Sequence, residues 1–344
     1  MPTARPMQGT IPSMSTHPET RPIVELQSVC KSFDSGRILA VDSVSLTVQP
    51  GETLALLGPS GCGKTTTLRL INRLDDPDSG QVLVRGKPVQ HQRPEQLRRS
   101  IGYVIQEGGL FPHLSVAANV STVPRLLGWP SSRIAKRVEE VLDLVGLPAG
   151  EFAQRKPDEL SGGQRQRVGV ARALAADPSL LLMDEPFSAL DPITREVLHE
   201  EFLLLEERLQ KTVVLVTHDM IEAGKLADRV ALMDRGRIVQ QGPIRELLFR
   251  PCDPFVSDFF EAHRQQMILE TLHLDDILDD LQPLTSAQKL PEVELSGCAR
   301  LRDAVQPVVQ AGENATLALS DGRHRERIFL AADVRKRLFG ERGK

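Results

Sequence analysis

The chain has 344 residues, more than one hydrophobic core usually organises, so a large domain with a smaller appended unit is the expectation. A formal net charge of −4 at pH 7 gives no electrostatic case for nucleic acid as a partner, and four scattered cysteines form neither a zinc spacing nor a disulfide framework. No apolar run approaches the roughly 18 to 20 residues of a membrane helix, so any membrane role has to run through a separate protein.

Residues 1–22 are rich in proline and polar side chains and lack the apolar centre of a signal peptide, which reads as a disordered lead-in. From Ile23 to about Gly86 the pattern favours strands. Val44, Leu46 and Val48 alternate with Ser45 and Thr47, as suits a strand buried on one face, and Gln49-Pro50-Gly51-Glu52 makes a turn. Leu54–Leu57 is a continuous apolar run of the kind found in parallel strands covered on both faces. It delivers Gly58-Pro59-Ser60-Gly61-Cys62-Gly63-Lys64-Thr65, the spacing of a phosphate-binding loop. There glycines turn backbone N–H groups toward phosphates, Lys64 reaches the β- and γ-oxygens and the Thr65 hydroxyl ligates Mg²⁺. Cys62 reads as a small side chain that fits the loop.

After Gln106 the period becomes helical. Ile134, Val138, Val141, Leu142 and Val145 recur at helical spacing and Gly146 terminates the run. Ser161-Gly162-Gly163-Gln164 opens a further helix and offers an anion a hydroxyl, bare N–H groups and the positive end of a helix dipole. The first loop already holds its own phosphates, so the natural anion here is the γ-phosphate bound by a second copy of the chain. Two more apolar runs, Leu180–Met183 and Val213–Thr217, lead to Asp184-Glu185 and to His218. Both deliver chemistry just past a strand's C-terminal end, where open α/β sheets place their ligands. Beyond Glu261, Glu292–Leu295, Leu301–Val308, Thr316–Leu319 and Arg327–Leu330 read as strand, helix, strand and strand, with a turn at Asp321-Gly322 and a closing helix over Ala332–Leu338.

The phosphate loop and the Leu160-Ser161-Gly162-Gly163-Gln164 signature together resemble the ATP-binding subunits of ABC transporters. Other landmarks follow in that family's order: Phe33 where an aromatic stacks on adenine, Gln106 at the Q-loop, Asp184 and Glu185 as Walker B carboxylate and catalytic glutamate, Ser188-Ala189-Leu190-Asp191 as D-loop, and His218 as switch histidine. The resemblance runs from about Ile23 to about Phe260. It implies an α/β P-loop ATPase with a RecA-like core, an antiparallel β subdomain and a helical subdomain at about 107–175. Residues 261–344 then form a linker and a single CBS-like repeat.

The ligands implied are ATP and Mg²⁺. Lys64, Glu185 and His218 carry the catalysis in this reading. Glu185 follows Asp184 on the other side of the pleat, placed to polarise the attacking water that His218 orients. Thr65, Gln106 and Asp184 hold the metal. Phe33, Gly58, Pro59, Ser60, Gly61, Cys62, Gly63, Lys64, Thr65, Thr66 and Gln106 hold the nucleotide in one half-site, and Ser161, Gly162, Gly163, Gln164 and Asp191 in the other.

The partners implied are a second ATP-binding subunit, most simply an identical one, and transmembrane permease subunits received at a groove beside Gln106–His113. An extracytoplasmic solute-binding protein is an indirect partner, and the chain stands at the cytoplasmic face of the cell membrane. Tyr103–Gln106, Gly109–His113, Arg155-Lys156-Pro157 and Val168–Pro178 look like the osmoprotectant importers of bacteria, which carry glycine betaine, choline, carnitine or related quaternary amines. An importer for an amino acid or polyamine is the close alternative. A non-transport ABC ATPase is the distant one.

Overall fold

The apolar runs that end at Leu57, Met183 and Thr217 lie side by side in one sheet. The structure, a computed structural model, describes residues 21–106, 109–274, 293–296, 301–310, 315–320, 326–330 and 333–334. Strands β1 (Val24–Phe33), β2 (Ile38–Val48), β4 (Ser79–Val84) and β5 (Lys87–Pro88) form an antiparallel sheet in the order β2-β1-β4-β5. Strands β3 (Thr53–Leu57), β6 (Ile101–Val104), β7 (Leu180–Asp184), β8 (Thr212–Val216), β9 (Arg229–Asp234) and β10 (Arg237–Gly242) form the second, in the order β10-β9-β3-β8-β7-β6. All its neighbours run parallel except β10, which turns back on β9.

Every residue of β3 and β8 is buried, because this sheet is covered on both faces. The two-residue period divides them: Leu180, Leu182, Val214 and Val216 pack toward the antiparallel sheet, Leu181, Met183, Val213 and Leu215 toward helices on the opposite side. The helices are α1 (Lys64–Ile71), α2 (Pro94–Arg99), α3 (Val116–Val120), α4 (Thr122–Leu126), α5 (Ser131–Leu144), α6 (Ala149–Phe152), α7 (Gly162–Leu174), α8 (Pro192–Leu209), α9 (Met220–Leu226), α10 (Ile244–Phe249), α11 (Pro254–Glu261), α12 (Arg264–Thr271) and α13 (Leu301–Gln310). No helix among the described residues is long and apolar enough to cross a membrane.

Two expectations change. The stretch expected to favour strands from Ile23 to Gly86 contains α1, although Thr65–Thr67 are β-branched. Thr67 satisfies its hydroxyl inside the helix, donating to the Gly63 carbonyl at 3.0 Å, while Leu68, Leu70 and Ile71 supply the buried face. The division expected at residue 260 falls inside α11, and both α11 and α12 belong to the core. Val256, Phe260, Met267, Leu272 and Leu274 join Ala55 and Leu57 of β3 in one apolar cluster, which also takes in Leu301, Ala304 and Phe329.

In the tail, β11 (Val293–Ser296) lies parallel to β12 (Thr316–Ser320), which pairs antiparallel with β13 (Glu326–Leu330). With α13 between β11 and β12, the order is the one the sequence indicates. The lead-in over 1–20, the turn at Asp321-Gly322 and, apart from Asp333-Val334, the closing helix over 332–338 lie outside the described residues.

Candidate nucleotide site

The phosphate loop is shaped by two glycines that no other residue replaces without strain. Gly58 has φ +150°, and a Cβ there would stand 2.2 Å from the Met233 carbonyl oxygen. Gly63, at φ +106°, caps α1, and its Cβ would stand 2.2 Å from the Ala40 carbonyl oxygen. Ala40 belongs to β2, so the antiparallel sheet bears directly on the loop. The Lys64 side chain folds along the inside of the loop and donates to the carbonyls of Gly58 at 2.8 Å and Pro59 at 3.0 Å. An ammonium surrounded by neutral acceptors is suited to gain from an anion. Cys62 packs into the core, and burial pushes its thiol up, in keeping with a residue chosen for size. Pro59, Ser60, Gly61 and Thr65 are exposed and Thr66 is half-buried.

Thr65 begins the α1 turn that faces the end of β7, and its hydroxyl donates to Asp184 Oδ1 at 3.0 Å. Burial raises the Asp184 carboxyl above its ordinary value; the Thr65 bond works against this and the neighbouring Glu185 adds to it. Gln106 sits one step away, its Nε2 donating to Ser188 Oγ at 3.4 Å, and that hydroxyl donates to the Glu185 carbonyl at 3.0 Å. Of the three expected metal residues, Thr65 and Asp184 therefore touch, and Gln106 joins them through the Ser188 segment. Among the described residues no group of three or more His, Cys, Asp or Glu gathers as a metal cluster. One carboxylate with a hydroxyl and an amide is the sparse hard-donor set that suits Mg²⁺ shared with phosphates.

Glu185 is not placed by the pleat. It lies past β7 with φ +45°, and its N–H donates to the Val216 carbonyl of β8 at 2.9 Å. This left-handed step swings its carboxylate toward His218, whose Nδ1 stands 3.2 Å from Oε2. The pair spans the ends of adjacent strands.

Ser161 caps α7 reciprocally with Gln164: Gln164 N donates to Ser161 Oγ at 3.2 Å and Ser161 N to Gln164 Oε1 at 2.9 Å. Ser161 and Gly162 are exposed, as an anion site requires. Gly163 is buried for a different reason, since a Cβ there would meet Thr194 Cγ2 of α8 at 2.9 Å. Asp191 caps α8 by accepting from Thr194 N at 3.0 Å, and hydrogen bonding from the Thr194 side chain, then from its backbone, holds the carboxyl below the usual range. Phe33 ends β1 opposite Ile38, and Phe33, Ile38 and Leu39 are 39%, 58% and 50% exposed, an apolar edge leading to Ala40 and the loop.

Sequence reasoning missed Asn119. Fully buried, it accepts from Phe111 N at 2.8 Å and donates to the carbonyls of Phe111, Leu114 and Ser115, each at 3.1 Å, fixing the segment after Gly109. Arg172 secures the same segment by donating to the Gly109 carbonyl at 2.8 Å. Phe111 and His113 project from it, exposed, with rings 6.1 Å apart.

The family model for ABC transporters matches residues 41–188. The osmoprotectant import ATP-binding protein OsmV of Salmonella typhimurium is 47% identical over 278 residues, which are 80% of this chain and 73% of that protein. The chain belongs to the ABC transporter family. It is an ATP-binding subunit of the osmoprotectant import group, and it hydrolyses ATP. The glycine betaine uptake system ATP-binding protein YehX of Escherichia coli is 44% identical over 290 residues, 84% of this chain and 92% of that protein. Both alignments outrun the segment matched by the family model. Among solved structures, the dimeric ATP-binding cassette MJ0796 in a post-hydrolysis state with ADP and Pi is 35% identical, with a TM-score of 0.58 over 64% of this chain and 98% of that one.

Proposed function

We propose that this ABC subunit powers the import of quaternary amine osmoprotectants such as glycine betaine, choline or carnitine, hydrolysing ATP with Mg²⁺ at a site completed by a second, identical copy. The observation that carries the reading is the juxtaposition of two pairs, Thr65 with Asp184 and Glu185 with His218, at the ends of β7 and β8 beside the phosphate loop.

Phosphoryl transfer to water asks mainly for positioning and for donors aimed at the equatorial oxygens. The loop amides and the Lys64 ammonium bind the β- and γ-phosphates. Thr65, Asp184 and Gln106 hold Mg²⁺, which when bound neutralises charge on those oxygens. Glu185 accepts a hydrogen bond from the attacking water, and His218 keeps that carboxylate and the γ-phosphate in register. Ser161 and Gly162 of the other copy meet the γ-phosphate at the start of α7, with Asp191 beside them. ATP then contacts both copies only when they are closed, so its binding favours closure and its hydrolysis releases it.

The exposed segment around Phe111, pinned by Asn119, supports a docking place for a permease helix at the cytoplasmic face of the membrane. An extracytoplasmic solute-binding protein delivers the solute to that permease. The tail order β11-α13-β12-β13 supports a single CBS-like repeat, and residues 23–260, with α12 added to them, form the cassette. The solute rests on the resemblance of Tyr103–His113, Arg155–Pro157 and Val168–Pro178 and on the relatives' extended alignments.

Reconstituted in liposomes with its permease and binding protein, the chain should drive ATP-dependent uptake of labelled glycine betaine or choline. Uptake of spermidine or an amino acid in place of both would sink the solute assignment while leaving the ATPase.

A further inference from the structure

We propose that Arg195 is a positioning residue that ties the segment Ser188–Leu190 to the His218-Asp219 turn and thereby holds His218 against Glu185. The inference rests on the roles given above to Glu185 and His218.

Arg195 lies in the first turn of α8. Its Nη2 donates to the Leu190 carbonyl at 3.0 Å and its Nη1 to Asp219 Oδ2 at 3.4 Å. The other oxygen of Asp219 is already committed: Oδ1 accepts from Ile221 N at 2.9 Å and Glu222 N at 3.1 Å, capping α9. Asp219 N in turn donates to Thr217 Oγ1 at 3.0 Å. His218 thus stands between two anchored residues, and its exposed ring takes its direction from their backbone.

The opposite wall is built the same way. Glu185 N donates to Val216 O, Ser188 Oγ to Glu185 O and Leu190 N to Phe187 O. Two short turns, 185–190 and 216–219, are therefore joined at one end by a backbone bond and at the other by Arg195. Without the guanidinium the near bond persists and the far end is untied.

Arginine suits this task because its planar fork reaches two separate acceptors, whereas a lysine ammonium offers a single point. Deeper between α8 and α9, His199 Nδ1 and Nε2 and Glu222 Oε1 are buried without a hydrogen-bond partner, so they supply no substitute. A further ion pair between these helices, Lys225 with Glu196 at 2.8 Å, starts from the last turn of α9, away from His218.

The test compares steady-state ATPase and equilibrium ATP binding for R195A, R195K, D219N, the double variant R195A/D219N, E196Q and E185Q. In R195A, kcat should fall about 10- to 100-fold, as for a sub-ångström misplacement of a catalytic group. KM and ATP affinity should stay within about twofold, because Lys64 and Thr65 are untouched. R195K should recover less than a third of the lost rate, and the double variant should be no slower than R195A. E196Q, which loosens the same helices elsewhere, should keep kcat within about twofold. Wild-type kcat in R195A, full rescue by lysine, additive losses in the double variant, or an E196Q defect equal to that of R195A would each overturn the proposal. If E185Q is inactive while R195A turns over normally, positioning alone fails. Wild-type turnover by E185Q would remove the catalytic reading and this inference together.

Discussion

The phosphate loop and the signature turn are both proposed to meet a phosphate with backbone N–H groups, yet the fold braces them differently. The loop is braced from beneath: Gly58 and Gly63 press against the Met233 and Ala40 carbonyls and Lys64 is 5% exposed, while Pro59, Ser60 and Gly61 face solvent. The signature stands open, with Ser161 and Gly162 in solvent and only a reciprocal cap with Gln164 to hold their shape. A half-site that carries its own buried ammonium can bind by itself, while one without a cation needs something brought to it. ATP affinity should therefore be a property of one chain and hydrolysis a property of two.

The largest effect is expected at the end of β7. Glu185→Gln should lower turnover by on the order of 10²- to 10⁴-fold with ATP affinity kept, and should accumulate as an ATP-bound dimer seen by size exclusion. Ser161→Arg should cost about 10²- to 10³-fold in hydrolysis, as loss of a transition-state anion site does, with binding to the monomer intact. Lys64→Ala breaks the other half, weakening ATP binding to the isolated chain by about 10- to 100-fold, the value of one charge-assisted contact. Mixed dimers of these two variants sharpen the comparison, because one interface then carries both defects and the other neither. Partial recovery of ATPase fits a shared site; equal loss of monomer binding in both variants contradicts it.

Smaller effects come from beneath the site. Burial holds the Glu222 carboxyl up to about 8, against an ordinary 4.5, and keeps His199 neutral down to about 4, against 6.5. The folded protein binds the Glu222 proton more tightly than the unfolded chain, so that stability is present at low pH and lost as pH climbs from 4.5 through 8. His199 acts in the opposite sense, its contribution being lost as pH falls from 6.5 toward 4. The two oppose each other below 6.5; Glu206, which burial pushes up to about 7, acts in the same sense as Glu222 until that pH, so a decline between 7 and 8 belongs to Glu222. Glu222→Gln should flatten the melting temperature across that window. A slope identical to the wild type would clear Glu222 of the effect.

The strand-end chemistry was legible because each apolar run, buried on both faces, stops where a polar motif begins, and that register survives folding. The phosphate loop follows β3, Asp184 ends β7, Glu185 and His218 lie past the ends of β7 and β8, and Ser161 caps α7. What stayed hidden depends on long-range backbone contacts, which leave no periodic trace. Ala40 offers only its carbonyl, Asn119 looks like any helix asparagine, and the Glu185 step passes for ordinary pleat because a left-handed glutamate has no sequence mark. The position of Arg195 one turn past Asp191 was a usable signal, since a side chain there overlies the start of its own helix. A boundary after Phe260 falls within α11, because the family pattern ends where the cluster of Met267, Leu272 and Leu274 has yet to close.

The apolar edge of Phe33, Ile38 and Leu39 bears on which fuel the transporter accepts. A base stacked on that edge would be held by its ring, and the hydrogen-bonding edge that separates adenine from guanine would go unread there. Selectivity then falls to the triphosphate, and GTP should sustain uptake nearly as well as ATP. A cell importing solute through this machine would be answering to its whole stock of purine triphosphates, and a rise in one could cover a shortage of the other.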